Sequence, residues 1–196
     1  MSAVTIAEAW PKPGEPFTVD DLERMPDDGR RYELIDGMLI VSPAPAMPHQ
    51  RVGFFLGMLL EQACPDDLVV FGNPVNVRFS FRSALEPDVV VARVEDSRGA
   101  RLEQTPLLVA EVLSPDSVLR DLNLKKAAYE RFGIPSYWVV DPDLDRPSLR
   151  AFELDAGSYT EVAYVTGAEA FHATKPFGVE IVPGRLVAKL RRRGGG

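Results

Sequence analysis

The run Leu107-Leu108-Val109-Ala110-Glu111-Val112-Leu113 decides the fold. Apart from Glu111 it is wholly apolar, the composition of a central strand covered on both faces. Ser114-Pro115 closes it, and a helical pattern follows from about Asp116 to Phe132, ended by Gly133 and Pro135. Tyr137 to Val140 is a second short apolar run and reads as a buried strand.

Upstream, Val52, Phe55, Leu56, Leu59, Leu60 and Ala63 fall at helical spacing and predict an amphipathic helix over His49–Ala63. Leu68–Gly72, Val75–Phe81 and Asp88–Ala92 are strand candidates between the two helices. Nearer the N-terminus, Thr18 with Asp21 predicts a capped short helix ending before Pro26. Asp36-Gly37 joins Arg31–Ile35 to Met38–Val41 as a hairpin. After Val140, turn signals at Asp155–Gly157 and Pro183-Gly184 predict a meander of edge strands. The expected fold class is α/β, a mixed β-sheet flanked by helices with an N-terminal hairpin and a C-terminal β-meander.

The chain has 196 residues, enough for one domain with a real core. Residues 1–16 read as an extended leader, 17–190 as a single domain and 191–196 as a basic, glycine-ended tail. Acids outnumber bases 29 to 22, a net charge of −7, which excludes a highly basic nucleic-acid coat protein but not a local basic face. The longest apolar run is four residues, far short of the ~20 that span a bilayer, so no membrane segment is expected. Met1 to Pro13 has no secretion-signal pattern, which makes the cytoplasm the expected location. With one cysteine, Cys64, and two histidines, His49 and His172, any metal would be held mainly by oxygen.

Chemistry is suggested where charge interrupts apolar runs. Asp88 opens Val89-Val90-Val91, and Glu111 sits inside its strand. Each alone reads as a buried ion pair or a water-facing strand end; on neighbouring strands the two could converge on one divalent ion. The second helix would turn Val118, Leu122, position 125, Tyr129 and Phe132 to the core, and position 125 is lysine. Two readings stand for Lys125: an inward ammonium meeting Glu111, or a surface pair with Asp121 at i, i+4. Tyr129, Tyr137 and Trp138 read as core, and Asp141-Pro142 as a turn.

Glu86-Pro87-Asp88, Glu111-Val112-Leu113-Ser114-Pro115, Asp121 with Lys125 and Tyr129, and Gly133-Ile134-Pro135-Ser136-Tyr137-Trp138-Val139-Val140-Asp141-Pro142 resemble, in order and spacing, the signatures of a bacterial family of putative restriction endonucleases within the PD-(D/E)XK nuclease superfamily. Arg31-Tyr32-Glu33-Leu34-Ile35-Asp36-Gly37 and the segment Ser42-Pro43 to His49 resemble its N-terminal signature. The resemblance implies a restriction-endonuclease-like domain and hydrolysis of DNA phosphodiester bonds with Mg2+ or Mn2+. It places Asp88, Glu111 and the Val112 carbonyl on the metal, and Glu33 as a further acid for a second ion or for activating water. The superfamily lysine two residues beyond the glutamate falls here on Leu113, a departure that bears on activity; in the family resembled a helical lysine substitutes, and Lys125 stands there.

His49 reads either as a capping or packing residue or as a group that orients water or phosphate. Arg31, Arg51 and Lys126 are candidate phosphate contacts. DNA is the expected partner, and a homodimer would let two sites address both strands. The alternative is a catalytically inactive binding or regulatory module that keeps the nuclease fold. Whether Asp88, Glu111 and Lys125 meet at one water-accessible pocket separates the two.

Overall fold

The structure is a computed structural model that describes residue 11, residues 14–115 and residues 117–191. Most of the leader and the tail beyond residue 191 therefore lie outside the described residues.

A short helix α1 (Val19–Leu22) begins at Thr18, whose hydroxyl accepts from the Asp21 amide while the Asp21 carboxylate accepts from the Thr18 amide, a complete capping box. Strands β1 (Arg31–Ile35) and β2 (Met38–Ser42) form the expected hairpin, with Asp36 and Gly37 both at positive φ (51° and 84°). That geometry matches the twist of the flanking strands. Helix α2 (Met47–Ala63) carries Pro48 in its first turn, where a missing N–H costs nothing.

A central sheet carries β3 (Leu68–Phe71), β6 (Val89–Arg93), β7 (Leu108–Val112), β8 (Ser136–Asp141), β9 (Ser148–Asp155) and β10 (Ser158–Thr166), in the order β10-β9-β8-β7-β6-β3. Only β7 and β8 pair in parallel, so the sheet is mixed, and the chain between them crosses over as helix. One face packs Val89, Val91, Leu108, Ala110 and Trp138 against Val52, Leu56 and Leu60 of α2. The other face packs Val90, Val109, Tyr137 and Val139 against Ala128 and Tyr129 of the crossover helix. The α/β expectation of a mixed sheet flanked by helices is met.

Three details differ from the sequence reading. The Val75–Phe81 candidate shortens to β4 (Val77–Ser80) and pairs with β5 (Ser83–Leu85), which the sequence did not signal. These join β1 and β2 in a separate sheet, β2-β1-β5-β4. The Phe81-Arg82 turn lacks the glycine or asparagine that marks a hairpin. Second, β9 is an interior strand of the central sheet rather than an edge, and only β10 ends it. Third, Pro183 starts helix α4 (Pro183–Val187), which buries Leu186 and Val187, after a small pair β11 (Phe171–Ala173) and β12 (Val179–Ile181). Proline is as acceptable in a first helical turn as in a loop, so the local signal was ambiguous.

Two features set up the site. Gly57 of α2 meets Gly72 at the end of β3 so closely that a Cβ on Gly57 would fall 2.8 Å from the Gly72 Cα. This contact draws the loop after β3 against the helix. In the crossover, Arg120–Lys125 is π-helical before α3 (Lys126–Arg131). The wider turn keeps Ser117, Asp121, Lys125 and Tyr129 all buried at steps of four, whereas Val118, expected inside, is exposed. Tyr137 Oη donates to the Asp121 carbonyl at 2.9 Å and so satisfies a backbone group within the widened segment.

Candidate active site

The register of β6 against β7, with Val89 opposite Ala110, brings Asp88 beside the end of β7. The Val112 N–H donates to Asp88 Oδ2 at 2.8 Å, fixing the aspartate across the strand pair. His49 Nε2, from the first turn of α2, lies 3.1 Å from the same oxygen. Arg31 Nη1, from the start of β1, donates to Asp88 Oδ1 at 3.0 Å and to the Glu86 carbonyl at 3.2 Å.

Glu111 points to the face that carries the crossover helix. Its Oε1 accepts from Lys125 Nζ at 2.9 Å and from Tyr129 Oη at 2.6 Å. Lys125, 1% exposed, also donates to Glu33 Oε1 at 2.8 Å, and that oxygen accepts the Glu86 amide at 2.9 Å. Asp121 is not within ion-pair distance of Lys125; its nearest cation is Arg120, whose Nε is 3.6 Å from Asp121 Oδ1. The inward reading of Lys125 is the one the fold adopts. Two strands, a hairpin, α2 and the crossover helix thus contribute to one charge cluster.

Burial sets these charges apart. At Glu111 desolvation is the largest influence; Lys125 opposes it, but Asp88, Asp121 and Glu33 add to it, and the carboxyl is pushed up to about 8. At Asp88 desolvation is outweighed by the His49 hydrogen bond, the Arg31 charge and the Val112 amide, which hold the carboxyl at about 2. Burial would discharge Lys125, but Glu111, Glu33 and Asp121 outweigh it and raise the group above its ordinary value. Lys125 is therefore an ammonium ion in the resting site. Tyr129, raised first by burial and then by Glu111, remains a phenol and hydrogen-bond donor.

Asp88, Glu111, Val112, Lys125, His49 and Arg31 line a cleft of about 400 Å3 that also takes in Ser114, Ser117, Arg120 and Asp121. Residues 19–186 match the model of the Uma2 family, described as "Putative restriction endonuclease". The chain belongs to the Uma2 family. No curated protein matches it. It resembles the crystal structure of "a putative nuclease belonging to DUF820" from Anabaena variabilis ATCC 29413, with a TM-score of 0.65 and 17% identity over 82% of this chain and 90% of that one. At that identity the likeness speaks for the fold.

Within this Uma2 fold some expected residues stand apart from the cleft. Glu33 does not line it; Oε1 is engaged by Lys125 and Glu86, and Oε2 is buried without a hydrogen-bond partner among the described residues. It lies behind Lys125, whose ammonium it shares with Glu111. Arg51 lies over the Phe55 ring at 5.2 Å, and Lys126 over the Phe152 ring at 4.7 Å, both off the cleft. Lys126 follows Lys125 by one helical step, which turns it to another side. Arg31 does line the cleft, but its guanidinium is committed to Asp88 and Glu86.

Arg120 is the residue the sequence did not reveal. It lines the cleft, and its buried Nε has no hydrogen-bond partner among the described residues. At ordinary helical spacing Arg120 falls well off the Lys125 side; in the π-helical segment that spans Arg120–Lys125 both residues line the one cleft.

The oxygen atoms of the cleft bear on whether it suits a divalent cation. Among the described residues no three of His, Cys, Asp and Glu form a ready ligand group. Glu111 Oε2 receives no hydrogen bond from any described residue and belongs to a cleft-lining side chain, so one carboxylate oxygen is available beside Asp88 and Val112. This fits a hard ion that takes few protein ligands and fills its shell with water and phosphate, as Mg2+ does. No helix among the described residues is long and apolar enough to cross a membrane.

Proposed function

We propose that this chain is a divalent-cation-dependent nuclease that hydrolyses DNA phosphodiester bonds in the cleft between Asp88 and Lys125. One observation carries the reading. A buried lysine supplied by the crossover helix is hydrogen-bonded to Glu111, with Asp88 on the adjacent strand and both carboxylates opening on one cleft. Leu113 leaves no lysine on the strand itself, and Lys125 brings an ammonium to the glutamate from another direction.

Asp88, Glu111 Oε2 and the Val112 carbonyl are the groups that would hold Mg2+ or Mn2+. A bound ion would supply Lewis-acid polarisation of the phosphate and partial neutralisation of its charge. Lys125, firmly protonated, stabilises negative charge developing on the phosphorus-bound oxygens and does not act as a base. Glu33 and Tyr129 position it and Glu111: Glu33 holds the ammonium from behind, and Tyr129 fixes Oε1 so that Oε2 faces the cleft. Arg120 lines the cleft with an Nε–H that lies 3.6 Å from Asp121 and makes no hydrogen bond among the described residues, which places its guanidinium to donate to a nonbridging phosphate oxygen. His49 Nε2, 3.1 Å from Asp88 Oδ2, helps hold the aspartate in place at the cleft.

A second reading has its own support. Asp88 Oδ1 and Oδ2 and Glu111 Oε1 are already occupied by protein donors, the arrangement of an inactive module held together by its charges. Cleavage of plasmid and linear DNA with Mg2+ or Mn2+ decides between them. The nuclease reading expects wild-type cleavage and a loss of about a hundredfold or more in Glu111→Gln, Asp88→Asn and Lys125→Met. Equal cleavage by wild type and all three variants refutes it.

A further inference from the structure

A second recess of about 300 Å3 opens beside the main cleft and shares Arg31, Pro45, His49 and Asp88 with it. Its remaining lining is Gln50, Gly53, Gly72, Asn73 and Pro74. The two recesses form one groove with Asp88 and His49 at the waist. They differ in chemistry. Beyond the shared residues the main cleft adds Lys125, Arg120, Glu111 and Asp121, whereas every residue the recess adds is uncharged. The charged phosphate and its cation belong to the first, and the second suits a neutral group.

We infer that this recess is a subsite for one unpaired nucleobase next to the reacting phosphate, an inference that rests on the nuclease reading. The glycines leave room: Gly53 and Gly72 put no side chain into the lining, and the Gly57–Gly72 contact draws the Asn73-Pro74 loop against α2. Pro45 and Pro74 offer apolar ring faces. Gln50 is oriented by Nε2–H donation to the Pro45 carbonyl at 3.1 Å, and neither its Oε1 nor the Asn73 side-chain amide makes a hydrogen bond with a described residue. Two carboxamides present both donors and acceptors, the complement of a base edge that has lost its pairing partner. A volume near the lower end of the ~300–1,000 Å3 of small-ligand sites takes one base rather than a base pair. The base reaches this place either from a single strand or by extrusion from a duplex.

The test is fluorescence anisotropy of the full chain, with calcium as cation, on a labelled mixed-sequence DNA 12-mer and on the same strand made wholly abasic. The intact strand should bind about tenfold more tightly, the scale of one base contact. Gln50→Ala/Asn73→Ala should reduce that ratio to about threefold or less. Equal affinity for both strands, no binding of the intact strand, or an undiminished ratio in the double variant overturns the inference. A 2-aminopurine placed in a duplex separates the sources: a fluorescence rise on binding assigns the extruded base, and a silent probe beside a preserved single-strand ratio assigns the single strand. Failure of the nuclease reading is seen separately, in the plasmid assay.

Discussion

Removing the ionisable proton of Glu111 should change how stability depends on pH. The native carboxyl sits at about 8 against an ordinary 4.5, driven first by burial. A group raised on folding stabilises fully below its unfolded value and loses that contribution as pH rises through the folded one. At about 1.4 kcal/mol per pH unit, the wild type should lose on the order of 5 kcal/mol between pH 4.5 and 8 through this group alone. Asp88 has the opposite sign. Its carboxyl falls from 3.8 to about 2, so its contribution, on the order of 2 kcal/mol, is present above pH 4 and disappears as pH falls through 2. Urea unfolding of wild type, Glu111→Gln and Asp88→Asn in EDTA, from pH 2 to 9, reads both. Glu111→Gln should flatten the decline above pH 4.5 and leave the acid limb, and Asp88→Asn should do the reverse. A Glu111→Gln curve parallel to wild type between pH 5 and 8 refutes the claim that this buried carboxyl takes up its proton on folding.

Other expectations follow from the same contacts. Saturating Mn2+ should displace the Glu111 proton, so calorimetric titration at pH 7 in buffers of different ionisation enthalpy should show net proton release; identical heats in all buffers would contradict this. Arg31→Gln frees Asp88 Oδ1 and should tighten Mn2+ binding about tenfold, while Arg120→Gln, which touches neither Asp88 nor Glu111, should change it threefold or less; equal effects would mean bulk charge alone is at work. Gly53→Ala should raise stability by about 0.5–1 kcal/mol, because its Cβ would meet Val112 and Asp88 only at 3.8 and 4.0 Å, whereas Gly57→Ala should lower it by about 2 kcal/mol or more through the 2.8 Å clash with Gly72; similar melting temperatures for the two would refute the packing argument. Tyr129→Phe removes one donor from Glu111 Oε1 and should cost about 1–2 kcal/mol in urea unfolding at pH 8, with a smaller cost at pH 5 where Glu111 is protonated in either protein.

The helices and strands that carry the site were legible because their periods are strong. Val52, Leu56 and Leu60 do face the sheet, and the run around Glu111 is a central strand buried on both faces. Asp88 and Glu111 stood out because a carboxylate within an apolar run demands a partner. The partners themselves were less legible. Arg31 and Glu33 sit in a hairpin remote in sequence from either acid, and nothing local says that one clamps Asp88 while the other backs Lys125. Arg120 was hidden because helical spacing read at 3.6 residues per turn misplaces it, and the π turn is set by packing rather than by any residue preference. Arg51 and Lys126 show the converse: charge near the site in sequence turned onto aromatic rings.

By itself, then, the sequence determined the α/β class and the buried central strands, and it singled out Asp88, Glu111 and Lys125 as charges interrupting apolar patterns; periodicity left two readings of Lys125 open, and the family resemblance favoured the inward one. Tertiary structure alone decided which oxygens are taken and which is free, that Glu33 lies behind the cleft and Arg120 within it, and that a recess whose added lining is uncharged adjoins the charged cleft. Those outcomes depend on β6–β7 register, on the Gly57–Gly72 approach and on one widened helical turn, and each is fixed by contacts between segments far apart in the chain.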